Sequence, residues 1–168
     1  MNRIKIKDAL LRQGASEGMD EFLQVFVDAY EQELGGELTA ENMTLLSGHQ
    51  ITLLAYYYFR REVLEGGFVQ LIYNGYGGFI FENPFAKAMR LYGAKDFSKL
   101  IYAARKVYEI NKADLICEKS DEDFMASYEK YEEFDELEEE FMEMEEEVTS
   151  LLAAYVDEHI EDFCEIEE

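Results

Sequence analysis

The most acidic part of the chain also carries a continuous apolar stripe. Between residues 134 and 155, large apolar side chains recur in alternating steps of three and four: Phe134, Leu137, Phe141, Met144, Val148, Leu151 and Tyr155. This spacing places them on one face of an α-helix. The sequence therefore predicts a final helix from near Phe134 to about Phe163. Because further apolar residues follow Val148, we expect the acidic first half to be exposed and the second half to be more deeply buried.

Helical spacing extends over most of the remaining chain. The 168 residues contain a single proline, and apolar residues rarely alternate with polar ones as they do in strands. We therefore predict an all-α fold, a single compact multi-helix domain with a long acidic amphipathic C-terminal helix. Residues 1–168 form one domain in this interpretation, with residues 1–44 as an N-terminal helical extension.

Glycine, proline and capping residues predict where the other helices begin and end. A helix over residues 17–34 should stop at Gly35. A segment capped by Thr39 should run to Gly66, with a break near Ser47, and a short helix should follow over residues 68–73. Further helices should follow the capping side chain of Asn83 and begin at Asp96.

Nearly all of the excess negative charge lies in the C-terminal third. Residues 1–117 contain 13 Lys and Arg against 15 Asp and Glu, whereas residues 118–168 contain 2 against 23. The net charge of the whole chain is −23. Such a field repels nucleic acid and anionic lipid and attracts basic proteins. We expect a basic protein partner, with no direct nucleic-acid binding and no membrane contact. Two scattered cysteines, and the lack of a signal-type N-terminus or a long apolar run, favour the cytoplasm.

Residues 132–147 approach the charge density of DNA. Eleven carboxylates in 16 residues give one charge per ~2.2 Å of helix, against ~1.7 Å for duplex DNA. Three interpretations stay open: a solvated face, docking onto the chain's own basic stretch (residues 87–112), and recognition of a basic partner. The last makes these carboxylates the candidate partner-binding residues: Glu132, Glu133, Asp135, Glu136, Glu138, Glu139, Glu140, Glu143, Glu145, Glu146 and Glu147.

Catalytic and metal-binding patterns are not found in the sequence. His49 and His159 belong to no metal-ligand spacing, and the two cysteines lack a catalytic arrangement. Asp121 opens a stretch that resembles a calcium loop, but Met125 stands where an oxygen ligand is needed. We expect no enzyme activity, no catalytic residues, no cofactor and no metal.

Aromatic residues surround the glycine-rich segment 73–78. The segment lacks the Lys-Ser/Thr of a phosphate-binding loop, so we interpret it as a turn between helices. The aromatic cluster is typical of a packed hub, and a small-molecule pocket there is the alternative. Its members are Tyr56, Tyr57, Tyr58, Phe59, Phe68, Tyr73, Tyr76, Phe79 and Phe81.

Several motifs resemble those of a bacterial family of small acidic DNA-mimic proteins. They are Gly66-Gly67-Phe68-x-Gln70-x-x-Tyr73-Asn74, Leu91-x-Gly93-Ala94, Phe134-x-x-Leu137 and Tyr155-Val156-x-x-His159-x-x-x-Phe163, which together span about residues 45–163. The resemblance implies an all-helical fold in which Gly66, Gly67, Phe68, Gln70, Tyr73, Asn74, Gly93 and Ala94 are structural.

The resemblance also implies a function. For the family's described DNA mimic it implies a homodimer whose acidic surface occupies the DNA site of a transcription factor. An immunity-type inhibitor of a basic nuclease toxin is an alternative with the same charge requirement. A small-molecule-binding helical domain built on the aromatic hub is another.

Overall fold

The computed structural model describes residues 3–168, and α-helices account for most of them. Seven α-helices lie within this range: α1 (Asp8–Glu17), α2 (Met19–Leu34), α3 (Gly48–Tyr73), α4 (Phe85–Leu91), α5 (Lys95–Ile116), α6 (Asp121–Lys130) and α7 (Glu133–Glu158). Short 3-10 helices cover Met43–Leu45 and Ile160–Asp162, and a π-helical turn covers Gly78–Glu82. The predicted all-helical class, with a long acidic C-terminal helix, is confirmed.

Tertiary contacts group the chain into two compact units. The first contains the described residues up to Leu54 together with Thr149–Glu168, and the second contains Ala55–Val148. Helices α3 and α7 each contribute residues to both units. The single domain expected from chain length stays a prediction.

The core of the first unit forms around Phe163, which follows the last helical turn and is fully buried. The Tyr30 hydroxyl donates to its carbonyl oxygen at 2.6 Å, and the Gln50 side-chain amide donates to the same oxygen at 3.1 Å. The ring of Phe26 lies 6.4 Å from that of Phe163 in an edge-on contact. Residues far apart in sequence thereby satisfy a buried carbonyl group that would otherwise cost stability.

Two three-residue strands pair in the first unit. Strand β1 (Lys5–Lys7) runs parallel to β2 (Glu165–Glu167), so that Lys5 lies opposite Glu165 and Lys7 opposite Glu167. The sequence did not predict this pairing, because three residues are too few to establish a period of two.

The second unit packs its aromatic side chains around Phe59. That ring is fully buried and lies 5.6 Å from Phe68, 5.2 Å from Phe97 and 4.9 Å from Phe141. The ring of Phe68 in turn stacks on Phe134 at 5.1 Å. Helices α3, α5 and α7 therefore meet through aromatic rings, and each such contact adds about 0.5–1.5 kcal/mol beyond area burial.

Several predicted helix boundaries were wrong, and local hydrogen bonds explain the differences. Helix α2 begins at Met19 because Gly18 separates it from α1, and it ends at the left-handed Gly35 as expected. Helix α3 begins at Gly48, at the break predicted near Ser47, and the Thr39 hydroxyl caps only the short turn before it by accepting from the Asn42 backbone. The Ser47 hydroxyl accepts from the Gln50 backbone, and the Gln50 side chain accepts from the Ser47 backbone, which is a reciprocal cap.

Two further boundary predictions need correction, and one helix was not predicted. The Asn83 side chain does not cap α4; Pro84 precedes the helix and its carbonyl accepts the first bond, from Ala88. Helix α7 ends at Glu158 instead of continuing to Phe163, because the last turn tightens to a 3-10 helix. Helix α6 was not predicted, although Ser120 caps it by accepting from the Asp123 backbone.

Candidate protein-binding surface

Nine of the eleven predicted carboxylates of residues 132–147 are exposed. They are Glu132, Glu133, Asp135, Glu136, Glu139, Glu140, Glu143, Glu146 and Glu147, and we call them the acidic face. Glu132 lies in the turn just before α7, and at 100° per residue the other eight cover one continuous side of the helix over about 21 Å of its length. Phe134, Phe141 and Val148 occupy the opposite side, where each is at most 3% exposed. The chain therefore presents a row of carboxylates on a helix whose other side is anchored in the core.

Glu138 turns inward to a kink in α3. Gly67 interrupts that helix with a left-handed φ of 74°, and the backbone N–H of Phe68, the next residue, donates to Glu138 Oε1 at 2.9 Å. A Cβ atom added at Gly67 would fall on the Glu138 carboxylate. Burial raises the pKa of Glu138, while the Phe68 hydrogen bond opposes the shift.

Glu145 also turns inward. Its Oε1 contacts Arg60 Nε of α3 at 2.5 Å, and the two side chains are only 14% and 27% exposed. A partly buried ion pair of this kind is strongly sensitive to loss of either partner. Neither inward carboxylate was distinguishable in the sequence, because their partners lie 70 or more positions earlier in the chain.

The basic stretch of residues 87–112 does not neutralise the acidic face. Within residues 3–168, Lys112 pairs with Glu82 at 2.6 Å and Arg105 with Glu109 at 2.7 Å. None of the basic side chains of this stretch forms an ion pair with a carboxylate of α7 in that part of the chain. Docking of the acidic helix onto this stretch is therefore not observed.

Comparison with known proteins supplies the context for this surface. A family model described as DMP19-like protein matches residues 44–159. The DNA mimic protein DMP19 of Neisseria meningitidis serogroup B is 33% identical over 145 residues, which cover 86% of this chain and 87% of that protein. This chain belongs to the DMP19-like family. The resemblance inferred from the glycine and aromatic motifs is confirmed.

The structure gives a role to the residues of the Gly66-to-Asn74 motif on which the resemblance was based. Gly66 accepts a hydrogen bond at its carbonyl from the Tyr128 hydroxyl at 2.8 Å. Gln70 and Asn74 donate to the buried Glu62 carboxylate at 3.2 and 2.8 Å. The Tyr73 hydroxyl contacts the backbone of Lys119. These side chains hold the kinked helix in the second unit.

The motif residues Gly93 and Ala94 end one helix and begin the next. Gly93 has a left-handed φ of 99°, and the Ala94 backbone donates to the Met89 carbonyl at 2.9 Å. Ala94 is buried and its carbonyl accepts from Ser98 in the first turn of α5. The geometry is a glycine stop of α4, as expected of a left-handed C-terminal residue.

The aromatic hub predicted around the glycine-rich segment is largely a packed core. Tyr58, Phe59 and Phe68 are fully buried, and Arg61 lies over the rings of Tyr58 and Tyr76 at 5.1 and 5.4 Å. The segment itself forms the turn after α3, with a left-handed Gly75. This packing gives no support to a small-molecule site in the hub.

A cleft of about 840 Å³ lies in the first unit. It is lined by Lys5 of β1, by Gln32 and Glu33 of α2, by Glu165 of β2 and by Arg3, which precedes β1. His49 and His159 flank Tyr155, with ring centroids 6.4 and 4.0 Å away. Within residues 3–168 no cluster of His, Cys, Asp and Glu is arranged to hold a metal ion, and no helix could cross a bilayer.

Proposed function

We propose that this protein binds the DNA-contacting surface of a basic DNA-binding protein, and that the acidic face of α7 takes the place of the phosphate backbone. The observation that carries the proposal is the row of nine exposed carboxylates. The family supports it, because one member is named a DNA mimic. Binding would be non-catalytic and would require neither a cofactor nor a metal.

Electrostatics favours this function over a merely solvated surface. Like charges three or four residues apart on an exposed helix cost about 0.2–0.5 kcal/mol per pair. The acidic face contains many such pairs, including Glu139 with Glu143 and Glu143 with Glu147. The cationic side chains of a basic partner offset the repulsion between these carboxylates, and the attraction between opposite charges speeds association.

Capture from the native cell tests the proposal. The immobilised protein is loaded with lysate at low salt, and bound proteins are eluted along a salt gradient. We expect a basic DNA-binding protein to leave at high salt, and duplex DNA to compete with the immobilised protein for it. A partner that binds no DNA, or binding independent of salt, would contradict the proposal. A nuclease toxin as the partner would instead favour the immunity-type inhibitor.

A charge-matched pair of variants shows whether the acidic face is responsible. The first replaces Glu136, Glu139, Glu143 and Glu146 by Gln. The control replaces four exposed glutamates of the first unit by Gln: Glu33, Glu41, Glu161 and Glu168. Both lose the same net charge, so only the first should lose affinity for the captured partner and the steep dependence on salt.

A homodimer and a cytoplasmic location belong to the same proposal. Two copies would present two acidic faces, and a partner bound to bacterial DNA would place the complex in the cytoplasm. Sedimentation equilibrium over a range of protein concentrations measures the oligomeric state directly.

A further inference from the structure

Helix α7 meets α3 through two aromatic pairs in the second unit. Phe134 stacks on Phe68, and Phe141 packs edge-on against Phe59. The order along the two helices is antiparallel, since the later residue of α7 meets the earlier residue of α3. Burial of apolar area is not directional, and aromatic pairs are stable over centroid distances of about 4.5–7 Å, so rings alone leave room for a helix to rotate or slide by a small amount.

Two polar contacts repeat the same antiparallel order. Glu138 accepts from the Phe68 backbone, and Glu145 contacts Arg60. The two carboxylates are seven residues apart, about two turns and 10.5 Å along α7. The hydrogen bond of 2.9 Å depends steeply on distance and angle, and the ion pair of 2.5 Å depends on distance. They can therefore fix both the rotation and the axial position of the helix.

The contact at the kink serves a second purpose. After the break at Gly67, the first N–H groups of the following helical segment have no acceptor within that segment. Glu138 supplies one from another helix, as an N-cap residue does from its own. A Cβ atom at position 67 would occupy the place of the carboxylate, so the Glu138 contact requires glycine at position 67.

We propose that Glu138 and Glu145 are positioning residues, which contact no partner and orient α7 so that the nine carboxylates of the acidic face point to solvent. The significance of that orientation rests on the proposed function, whereas the contacts themselves do not. The eleven carboxylates thus form two groups: nine face solvent, and two contact α3. Residue type and position in the sequence do not separate the two groups.

Adjacent glutamates provide matched controls. Glu139 and Glu146 follow Glu138 and Glu145 in sequence, and both are exposed. The four single Glu→Gln variants are titrated, over a range of salt concentrations, with a stapled α-helical peptide that carries six lysines. We expect E139Q and E146Q to lower the salt dependence of binding. E138Q and E145Q should keep the wild-type salt dependence, and E145Q should lower the melting temperature because Arg60 loses its carboxylate.

Substitution by alanine separates positioning from charge. E138Q keeps an acceptor for the Phe68 N–H and E138A does not, although both remove the same charge. In E138A, hydrogen exchange at the Phe68 amide should accelerate about tenfold. Peptide binding should weaken at a temperature where the variant is fully folded. E138Q should retain the wild-type exchange rate and affinity.

Three results would overturn the inference. One is a fall in salt dependence for E138Q as large as that for E139Q, which would place Glu138 in contact with the peptide. Another is unchanged exchange at Phe68 in E138A. The third is unchanged peptide affinity in folded E138A, which would leave the residue a purely structural role. Failure of the wild-type protein to bind the peptide would count against the proposed function, while the exchange measurement, made without peptide, would still decide the Glu138 contact.

Discussion

Gly67 shows how one residue connects a sequence motif to the acidic helix. Its φ of 74° favours glycine, and its missing side chain leaves the space that the Glu138 carboxylate occupies. The sequence identified Gly67 as a motif residue and Glu138 as a candidate contact. It gave no indication that they meet, because their proximity depends on how α7 lies against α3.

Gly67→Ala should destabilise the protein more than Gly75→Ala. Both glycines have left-handed φ angles, 74° and 94°, but nothing lies within 4 Å of a Cβ atom at Gly75. A Cβ atom strains the backbone at both positions, more so at Gly67, whose ψ of −171° lies in a region that glycine alone adopts, and only G67A also displaces Glu138. Chemical denaturation measures the difference. Equal losses of unfolding free energy would show that the carboxylate does not occupy the space beside Gly67.

The burial of Glu138, which raises its pKa, also predicts a pH dependence of stability. Because the folded-state pKa of Glu138 lies above 4.5, the folded chain binds more protons at this group than the unfolded chain does. Its contribution to stability is greatest below pH 4.5 and is lost as the pH rises through the folded pKa. E138Q should therefore gain stability relative to wild type between about pH 4 and 7, as measured by thermal melts. E139Q is the control and should show no such trend.

At the scale of elements, α7 is amphipathic along its acidic half, as its apolar spacing predicted. The second half departs from the expectation of deeper burial, since Leu151 and Ala153 are half-buried and Ala154 is exposed. Ala153 and Ala154 line an open cleft together with Ala15 and Met19. Composition predicts which residues can be buried, but neighbouring elements determine which of them are.

Phe141 and Met142 test the orientation of α7. Phe141 is fully buried against the rings of Phe59 and Phe97, and Met142 is 58% exposed. Phe141→Ala should cost about 3–5 kcal/mol of unfolding free energy, whereas Met142→Ala should cost less than about 0.5 kcal/mol. Urea denaturation of the two variants makes the comparison. Similar costs would mean that α7 is rotated from the orientation described.

Helix α6 illustrates a local signal that was present but not used. Ser120 precedes three acidic residues, and its hydroxyl accepts from the Asp123 backbone. Acidic side chains in a first turn also favour the helix dipole. The sequence of this stretch resembles the opening of a calcium loop, and its few apolar residues do not establish a helical period. The signals for α4 were used and predicted its presence, although the cap assigned to Asn83 was wrong.

At the scale of the whole molecule, charge dominates the expected behaviour. The net charge is −23, and nearly all of it arises after residue 117. Self-repulsion of this size opposes a compact chain, and salt screens it over about 10 Å at 0.1 M. The melting temperature should therefore rise as sodium chloride increases from about 10 to 300 mM.

The quadruple Gln variant of the acidic face supplies the comparison for that salt effect. It removes four like charges from one helix, so its melting temperature should depend less on salt than that of the wild type. The charge-matched variant of the first unit should retain more of the wild-type dependence, because its four glutamates are less densely placed. A melting temperature insensitive to salt in the wild type would contradict this account.

The sequence by itself determined the helical class, the apolar side of α7, the location of the charge and the family. Each of these depends on residue order within one or two helical turns, or on a motif of glycine and aromatic residues, so local pattern is sufficient. It could not separate Glu138 and Glu145 from the nine exposed carboxylates. Only the tertiary structure decided that, because an identical side chain becomes buried or exposed according to the partner, Phe68 or Arg60, that distant parts of the chain bring to it.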